Sequence, residues 1–511
     1  MASVKLRVLI YVSIKNENSK LDENTNIFYN IYRTKREELA IMENQKTQDE
    51  EKLKEAKRRN VKLYPIYKMF AWDLLFYYPI YFLFLSQNKG LSASEIVLGN
   101  AFYTIFKLIF QPFVPMIVGL LGKRKSTVLG NIFVTISILY VILAKGSLTN
   151  YIIFNLIQAL GYIFKNVCEA SILDECITDK EKKNTIFTKY DGKGSAYWYT
   201  FEAVSAVFTG FLFVVNAYIP MYLCFIFCII GTILSTKFEH YEHRVKTKKE
   251  KDRSKTLKEK MDLAIQEYKF IFKSKRLRAL YTFSGVLYGL LYIRASLTSS
   301  LLVEINIPDQ FFGIITGIFT IFAALTTWQQ YFIQKRLKNK VLTVFGLTYT
   351  LTLILSAIVI ILKLDYKFTL IVTFIMLTLQ NMIKGPYYTL IKRYLNSFSD
   401  KHLSTKIYAI NGIVEDVGGI IISLAVSLLL EHTTTAYTSL ILGIVSLILF
   451  IIILDYMKTR IGLAPEEYDK KDIEFKQKVK EPPIEQEKKQ EVEIIVGIND
   501  EGNSEAKIIE N

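Results

Sequence analysis

Asp73, Lys165, Glu202, Lys384 and Glu415 stand inside stretches that are otherwise almost wholly apolar. Burying an ionisable group at mid-bilayer costs roughly 2.5 to 3.5 kcal/mol on insertion scales, so such residues pair with one another or line a wet cavity. The chemistry open to them is that of charges and protons. A carboxylate beside a cation can exchange a proton when the contact between them changes, and a lone cation can hold an anion. The chain presents part of the set twice: Lys165 matches Lys384 and Glu202 matches Glu415, about 210 to 220 residues apart, and Lys193 and Lys406 each precede the glutamate by nine residues.

Further groups accompany these five. Glu169 lies one helical turn from Lys165, Asp416 adjoins Glu415, and Lys107 and Arg294 are cations without an adjacent acid. Residues three or four apart share one face of a helix, which makes three polar stripes: Asp73, Tyr77 and Tyr81; Tyr103, Lys107 and Gln111; Asn381, Lys384 and Tyr388. Polar stripes are unfavourable against lipid, so they are expected to face a central cavity. Two readings stay open for Lys165 with Glu202 and for Lys384 with Glu415. Either each is an ion pair holding adjacent helices together, or one carboxylate of the set exchanges a proton. Asp73 has no partner on its own helix and is a candidate for coupling. Lys107 and Arg294 suit recognition of an anionic solute or pairing with an acid across the cavity.

Positioning these residues takes helices that cross a bilayer, each needing roughly 20 apolar residues to cover the roughly 30 Å hydrocarbon core. Twelve windows meet or approach that length: 64–87, 93–121, 127–144, 151–173, 195–215, 219–235, 279–303, 311–333, 341–362, 368–391, 407–430 and 436–456. The gaps after even-numbered spans hold the basic clusters, among them Lys123, Arg124 and Lys125, then Lys180, Lys182 and Lys183, later Lys335, Arg336 and Lys340, and finally Lys392, Arg393 and Lys401. By the positive-inside rule these gaps are cytoplasmic, and an even number of crossings leaves both termini inside. Counted inward at 1.5 Å per residue, the five residues named first form one layer roughly 10 to 15 Å from the cytoplasmic boundary.

Composition agrees, with 51% hydrophobic residues and a net charge of +16. The basic excess sits in short loops beside apolar spans, where anionic lipid attracts it, so nucleic acid is not needed to explain it. Residues 1–61 form a polar cytoplasmic extension in which Met42 offers an alternative start, making 1–41 a gene-prediction artefact. Residues 237–278 form a basic connector between two halves, 62–236 and 279–457; within it 257–272 reads equally as an amphipathic surface helix or a solvated linker helix. The tail 458–511 is expected to be mostly disordered. Cys168, Cys176, Cys224 and Cys228 read as small buried hydrophobes, Tyr64, Tyr67 and Tyr151 as interfacial anchors, and Gly285, Gly289, Gly313 and Gly317 as close helix packing. The four histidines all lie near loops, which leaves little to build a metalloenzyme from, and no phosphate-cradling G-x-x-x-x-G-K-[ST] loop is present.

With its twelve spans, six-plus-six division and basic loop after span two, the chain resembles the major facilitator superfamily over residues 62–468. Residues 115–125 are similar to that family's G-x-L-x-D-R-x-G-R-[RK] loop, with Lys123, Arg124 and Lys125 at its basic end and the aspartate missing. The resemblance implies a cytoplasmic latch, here formed differently, with Asp174 or Glu175 acting on Lys123–Lys125. Phe164–Lys165–Asn166, residues 170–174, residues 192–195 and the ending 456–468 also resemble a poorly characterised bacterial subgroup. Residues 201–215 carry no proline and only Gly210, unlike the G-P-x-x-G-G kink of drug/proton antiporters, and Asn155 and Gln158 stand where many members carry an arginine.

The expected fold is thus an all-α membrane protein of twelve transmembrane helices in two pseudo-symmetric six-helix bundles. The expected activity is secondary active transport of a small solute, with a lean to an anionic or zwitterionic one, driven by protons and without a cofactor, by a monomer in the cytoplasmic membrane. The alternative is a transporter-like sensor or scaffold acting through the connector and tail.

Overall fold

The computed structural model describes residues 51–179, 183–239, 275–337, 340–397, 404–461, 494–498 and 504–508. Residues 1–50, most of the connector and most of the tail lie outside these, and with them the Met42 start and the surface helix at 257–272. Helix α1 (51–71) is followed by α2 (Tyr81–Leu83), which continues as a π-turn, Phe84–Asn88. Next come α3 (Ala93–Phe110), α4 (Val114–Leu121), α5 (Lys123–Leu143), α6 (Leu148–Cys176), α7 (Lys183–Val215) and α8 (Tyr218–Thr236). The second half holds α9 (Lys275–Glu304), α10 (Gln310–Trp328), α11 (Gln330–Leu337), α12 (Val341–Ile361), α13 (Tyr366–Ser397), α14 (Ser404–His432) and α15 (Thr435–Ile461).

Eleven helices among the described residues are long and apolar enough to cross a membrane. The twelfth crossing is the first span, which two helical pieces share with an unwound stretch between them. Helix pairing repeats in the two halves. Helix α5 packs on α6 and α8, and α3 on α6; correspondingly α12 packs on α13 and α15, and α10 on α13. The bundles meet through α3 with α14 and α7 with α10, the pairs that a two-fold relation between the halves would exchange.

Three spans differ from their continuous expectation, each at a residue with a reason. Pro79 lacks a backbone N–H and biases Tyr78 away from the helical region, so the first span is unwound from 72 to 80, with Phe76 at a positive φ of 66°. Pro112 sits in a 3-10 turn, Gln111–Phe113, which divides α3 from α4 and carries Gln111 out of its stripe to an exposed position. Gln329 separates α10 from α11, ending the eighth span earlier than expected. Residues 51–61, read as the end of the polar extension, are helical and continuous with the first span, with Ala56 and Val61 buried. In the tail, where no regular structure is expected, Ile494–Ile498 (β1) pairs antiparallel with Ser504–Ile508 (β2).

Candidate functional site

The break in the first span exposes backbone groups that a helix would satisfy internally, and each must find another partner at membrane depth. Lys165 on α6 donates to the carbonyl of Ala71, the last residue of α1, placing an ammonium at the negative end of that half-helix. Asp73, in the unwound stretch, accepts from the Leu74 N–H at 2.9 Å and from the Tyr162 hydroxyl at 2.6 Å. Asp73, Tyr162 and Lys165 thereby line one small pocket with Asn131. Lys165 lies 3.9 Å from Glu169 on its own helix and 4.9 Å from the centre of the Tyr162 ring. Glu169 also accepts from Tyr67 at 2.5 Å, and Asn131 donates to Tyr67 at 2.8 Å, so the buried cation and acid are satisfied within the first bundle.

The pairing of Lys165 with Glu202 is therefore replaced by pairing with Glu169. Lys384 and Glu415 are likewise not partners. Glu415 accepts from Ser284 at 2.7 Å and Tyr387 at 2.8 Å, both within the second bundle. Lys384 and Tyr388 are instead exposed. Glu202 on α7 and Arg294 on α9 are half-buried. Arg294 donates to Asn381 at 2.5 Å. Lys107 has found its acid across the interface: it bonds Asp416 at 2.9 Å and joins the two bundles.

Seen along the chain, every hydrogen bond that joins the bundles among the described residues lies between mid-membrane and the end away from the basic loops. Ser94 bonds Ser427 at 2.8 Å, Gln87 bonds Asp309 at 3.1 Å, and Tyr81 and Asn100 both meet Ser296, at 2.7 and 3.1 Å. Thr104 bonds Tyr292 at 2.8 Å, and Tyr292 bonds the Asn100 carbonyl at 2.6 Å. One apolar cluster bridges the bundles at this end, with Leu83, Leu91 and Met221 from the first and Leu301, Leu302 and Phe312 from the second. Tyr77 is buried in it, whereas Tyr103 is half-buried with its ring 6.4 Å from that of Tyr162. At the opposite end a cavity of about 430 Å³ is lined by Tyr388, Tyr408, Asn411 and Glu415.

At the basic-loop end Lys123 pairs with Glu175 and bonds Ser171 at 3.0 Å, while Asp174 pairs with Lys183 at 2.8 Å. Arg124 donates to the Thr236 carbonyl at 3.0 Å, and Lys125 is exposed. A further, partly buried pair was not read from the sequence: Lys68 on α1 bonds Asp191 on α7 at 2.6 Å and stands 4.3 Å from the Trp72 ring. Its signal was a lysine within an apolar run, next to the tyrosines. Those tyrosines are not interfacial anchors. Tyr64 donates to Asp191 at 3.0 Å, Tyr67 is fully buried against Glu169, and Tyr151 donates to Asn100 at 2.7 Å.

A family model described as the Major Facilitator Superfamily matches residues 63–423. No curated protein matches the chain by sequence. Among solved structures it is similar to the nucleoside transporter NupG, at 12% identity and TM-score 0.58, covering 80% of this chain and 99% of that one. It is also similar to a D-xylose-proton symporter, at 11% identity and TM-score 0.58 over 82% and 98% of the two chains. A third likeness is to a POT family transporter in complex with 5-aminolevulinic acid, at 13% identity and TM-score 0.52 over 80% and 95%. At these identities the likeness is one of fold.

Proposed function

The chain belongs to the major facilitator superfamily, and from that premise we propose that it carries a small anionic or zwitterionic solute across the cytoplasmic membrane by alternating access, coupled to protons. Membership places it among multi-pass membrane transporters rather than enzymes. The observation that carries the reading is the one-sided interface: among the described residues every bundle-joining hydrogen bond sits from the middle to the non-basic end, and the 430 Å³ cavity lies on the other side. With the basic loops cytoplasmic, this is the conformation open to the cytoplasm. Rocking the bundles about the central charges would reverse it.

Asp73 and Glu415 are the proposed proton carriers. Both are half-buried carboxylates held by hydroxyl donors with no ion pair among the described residues, so either can gain a proton without breaking a salt bridge. Asp416 is already paired with Lys107, which suits it to a latch. The Lys123–Glu175 pair at the basic-loop end ties α5 to α6 and would brace the first bundle as that end closes.

The test begins with solutes that raise the thermal stability of the purified protein, since a ligand of the folded state must stabilise it. Proteoliposomes holding a pH-sensitive dye then report proton movement on addition of such a solute. The wild type is expected to acidify or alkalinise the lumen in step with solute, and Asp73→Asn or Glu415→Gln to abolish the signal. Undiminished proton flux in both variants would remove those two residues from the coupling role.

A further inference from the structure

The cavity of about 430 Å³ at the basic-loop end is built by two helices of the second bundle. On α14 its lining residues Tyr408, Asn411, Gly412 and Glu415 recur at three- and four-residue spacing and so share one face. The outward apolar residues Ile413, Val417, Ile421 and Leu424 lie on the opposite face, which marks the lipid side of that helix and turns the cavity away from it. On α13, Ile391 and Leu395 are buried and give the space an apolar wall, while the Tyr388 ring is set by edge contacts with Tyr387 and Tyr288, 5.2 and 6.4 Å between centres. The polar groups here are acceptors. Asn411 is 5% exposed, yet its Oδ1 has no hydrogen-bond partner. Glu415, one turn further along, is held by Ser284 and Tyr387, and both hydroxyls donate to the same oxygen, Oε1. Among the described residues that line the space there is no lysine or arginine. A buried acceptor without a donor, next to a carboxylate without a counter-charge in the lining, is unfavourable until a donor bearing positive charge enters.

We propose that this cavity is a binding site for an organic amine, whose ammonium donates to the Asn411 Oδ1 and the Glu415 carboxylate while its hydrocarbon part lies against Ile391, Leu395 and the two tyrosine rings. Its volume falls within the range of small-molecule sites, roughly 300 to 1,000 Å³. An ammonium supplies several N–H donors and the positive charge at once, and aromatic ring faces attract it as well. A carboxylate of the same size would meet Glu415 with like charge, and an alcohol can give one hydrogen bond but brings no charge. A water molecule would serve Asn411 and leave the apolar wall uncovered. The inference goes beyond the transport reading, because binding alone defines the site. One consequence does rest on that reading: an ammonium on Glu415 takes the place of the proton proposed there.

The experiment uses the full chain in lipid nanodiscs and reads the midpoint of thermal unfolding against benzylamine, 2-phenylethylamine and hexylamine, each beside an alcohol and a carboxylate of matching size. The expected result is that at least one amine raises the midpoint saturably, and that its alcohol and carboxylate counterparts bind about tenfold more weakly or worse, a tenfold change being about 1.4 kcal/mol. Glu415→Gln keeps the shape and removes the charge, so it should weaken the amine by a similar factor and leave the alcohol unchanged. At Gly412 an added Cβ meets nothing within 4 Å, so Gly412→Phe is expected to fold, to fill the space and to weaken the amine as well. An alcohol or carboxylate that binds as tightly as its amine overturns the proposal, as does a panel in which no amine stabilises the wild type; neither outcome depends on a variant folding. Undiminished amine binding by a folded Gly412→Phe would place the amine elsewhere and overturn it too. An amine that binds as described but leaves solute-driven proton flux in proteoliposomes unchanged would remove Glu415 from the coupling role and leave this site standing.

Discussion

Lys165 carries more structural work than its place in an apolar helix suggests. It is 1% exposed, caps the carbonyl end of α1 at Ala71 and faces Glu169, which is 7% exposed. Removing one member of a buried pair leaves the other charged and unmatched, at a cost of about 3 to 5 kcal/mol. Lys165→Met is therefore expected to lower the unfolding midpoint sharply. Tyr67→Phe, which takes one hydroxyl from Glu169 and Asn131, should lose only about 1 to 3 kcal/mol. Equal midpoints for Lys165→Met and the wild type in detergent would show that the network contributes nothing. Asp416 supports a different expectation, because its bridge to Lys107 spans the interface. Asp416→Asn should favour opening at the non-basic end, read as faster reaction of a cysteine at Ser94→Cys with a membrane-impermeant thiol reagent; unchanged labelling would show that the bridge is no latch. These roles were only partly legible beforehand. The residue types and depths stood in the sequence, but partners across helices depend on how each helix is rotated against its neighbours, and Lys165 meets Glu169 of its own helix and the Ala71 carbonyl of α1 rather than Glu202.

Helix α10 meets α7 where Gly313 faces Gly210 near the non-basic end. A Cβ on Gly313 would run into the Ala206 carbonyl and lie 3.0 Å from the Gly210 nitrogen, so this approach is available only without a side chain. Gly313→Val should push the two helices apart and favour opening at that end, seen as a longer distance between spin labels at positions 94 and 427. A distance distribution identical to the glycine parent would mean that the crossing does not set the closed state. The existence and order of the membrane elements followed from run length and loop charge, which are properties of each segment alone. Their interruptions followed less readily. Pro79 and Pro112 were in view, yet prolines are tolerated in membrane helices when neighbours satisfy the freed backbone groups, so only the finished packing decides whether a helix bends or unwinds. At Pro79 the unwound form has Lys165, Tyr162 and the Leu74 N–H to support it; no such pattern can be read from the first span by itself.

The whole molecule joins two bundles whose helix pairings repeat, through a seam closed from its middle to the non-basic end. The repeat was visible in the sequence as matched charges in the fourth and tenth and the fifth and eleventh spans, but the matched residues have since diverged in use. Lys165 is enclosed and Lys384 is exposed, and Glu202 has no side-chain hydrogen bond or ion pair among the described residues while Glu415 is held by two hydroxyls. The whole-molecule proposal is that the seam opens as the basic-loop end closes. Spin labels placed in pairs, one pair at Ser94 and Ser427 and another at Lys189 and Arg336, report both ends at once by electron–electron distance measurement on protein in lipid nanodiscs. Under a stabilising solute or lowered pH, a second population is expected in which the 94–427 distance lengthens while the 189–336 distance shortens. A single unchanged distance at both ends under every condition, or two ends that open together, would contradict alternating access in this protein.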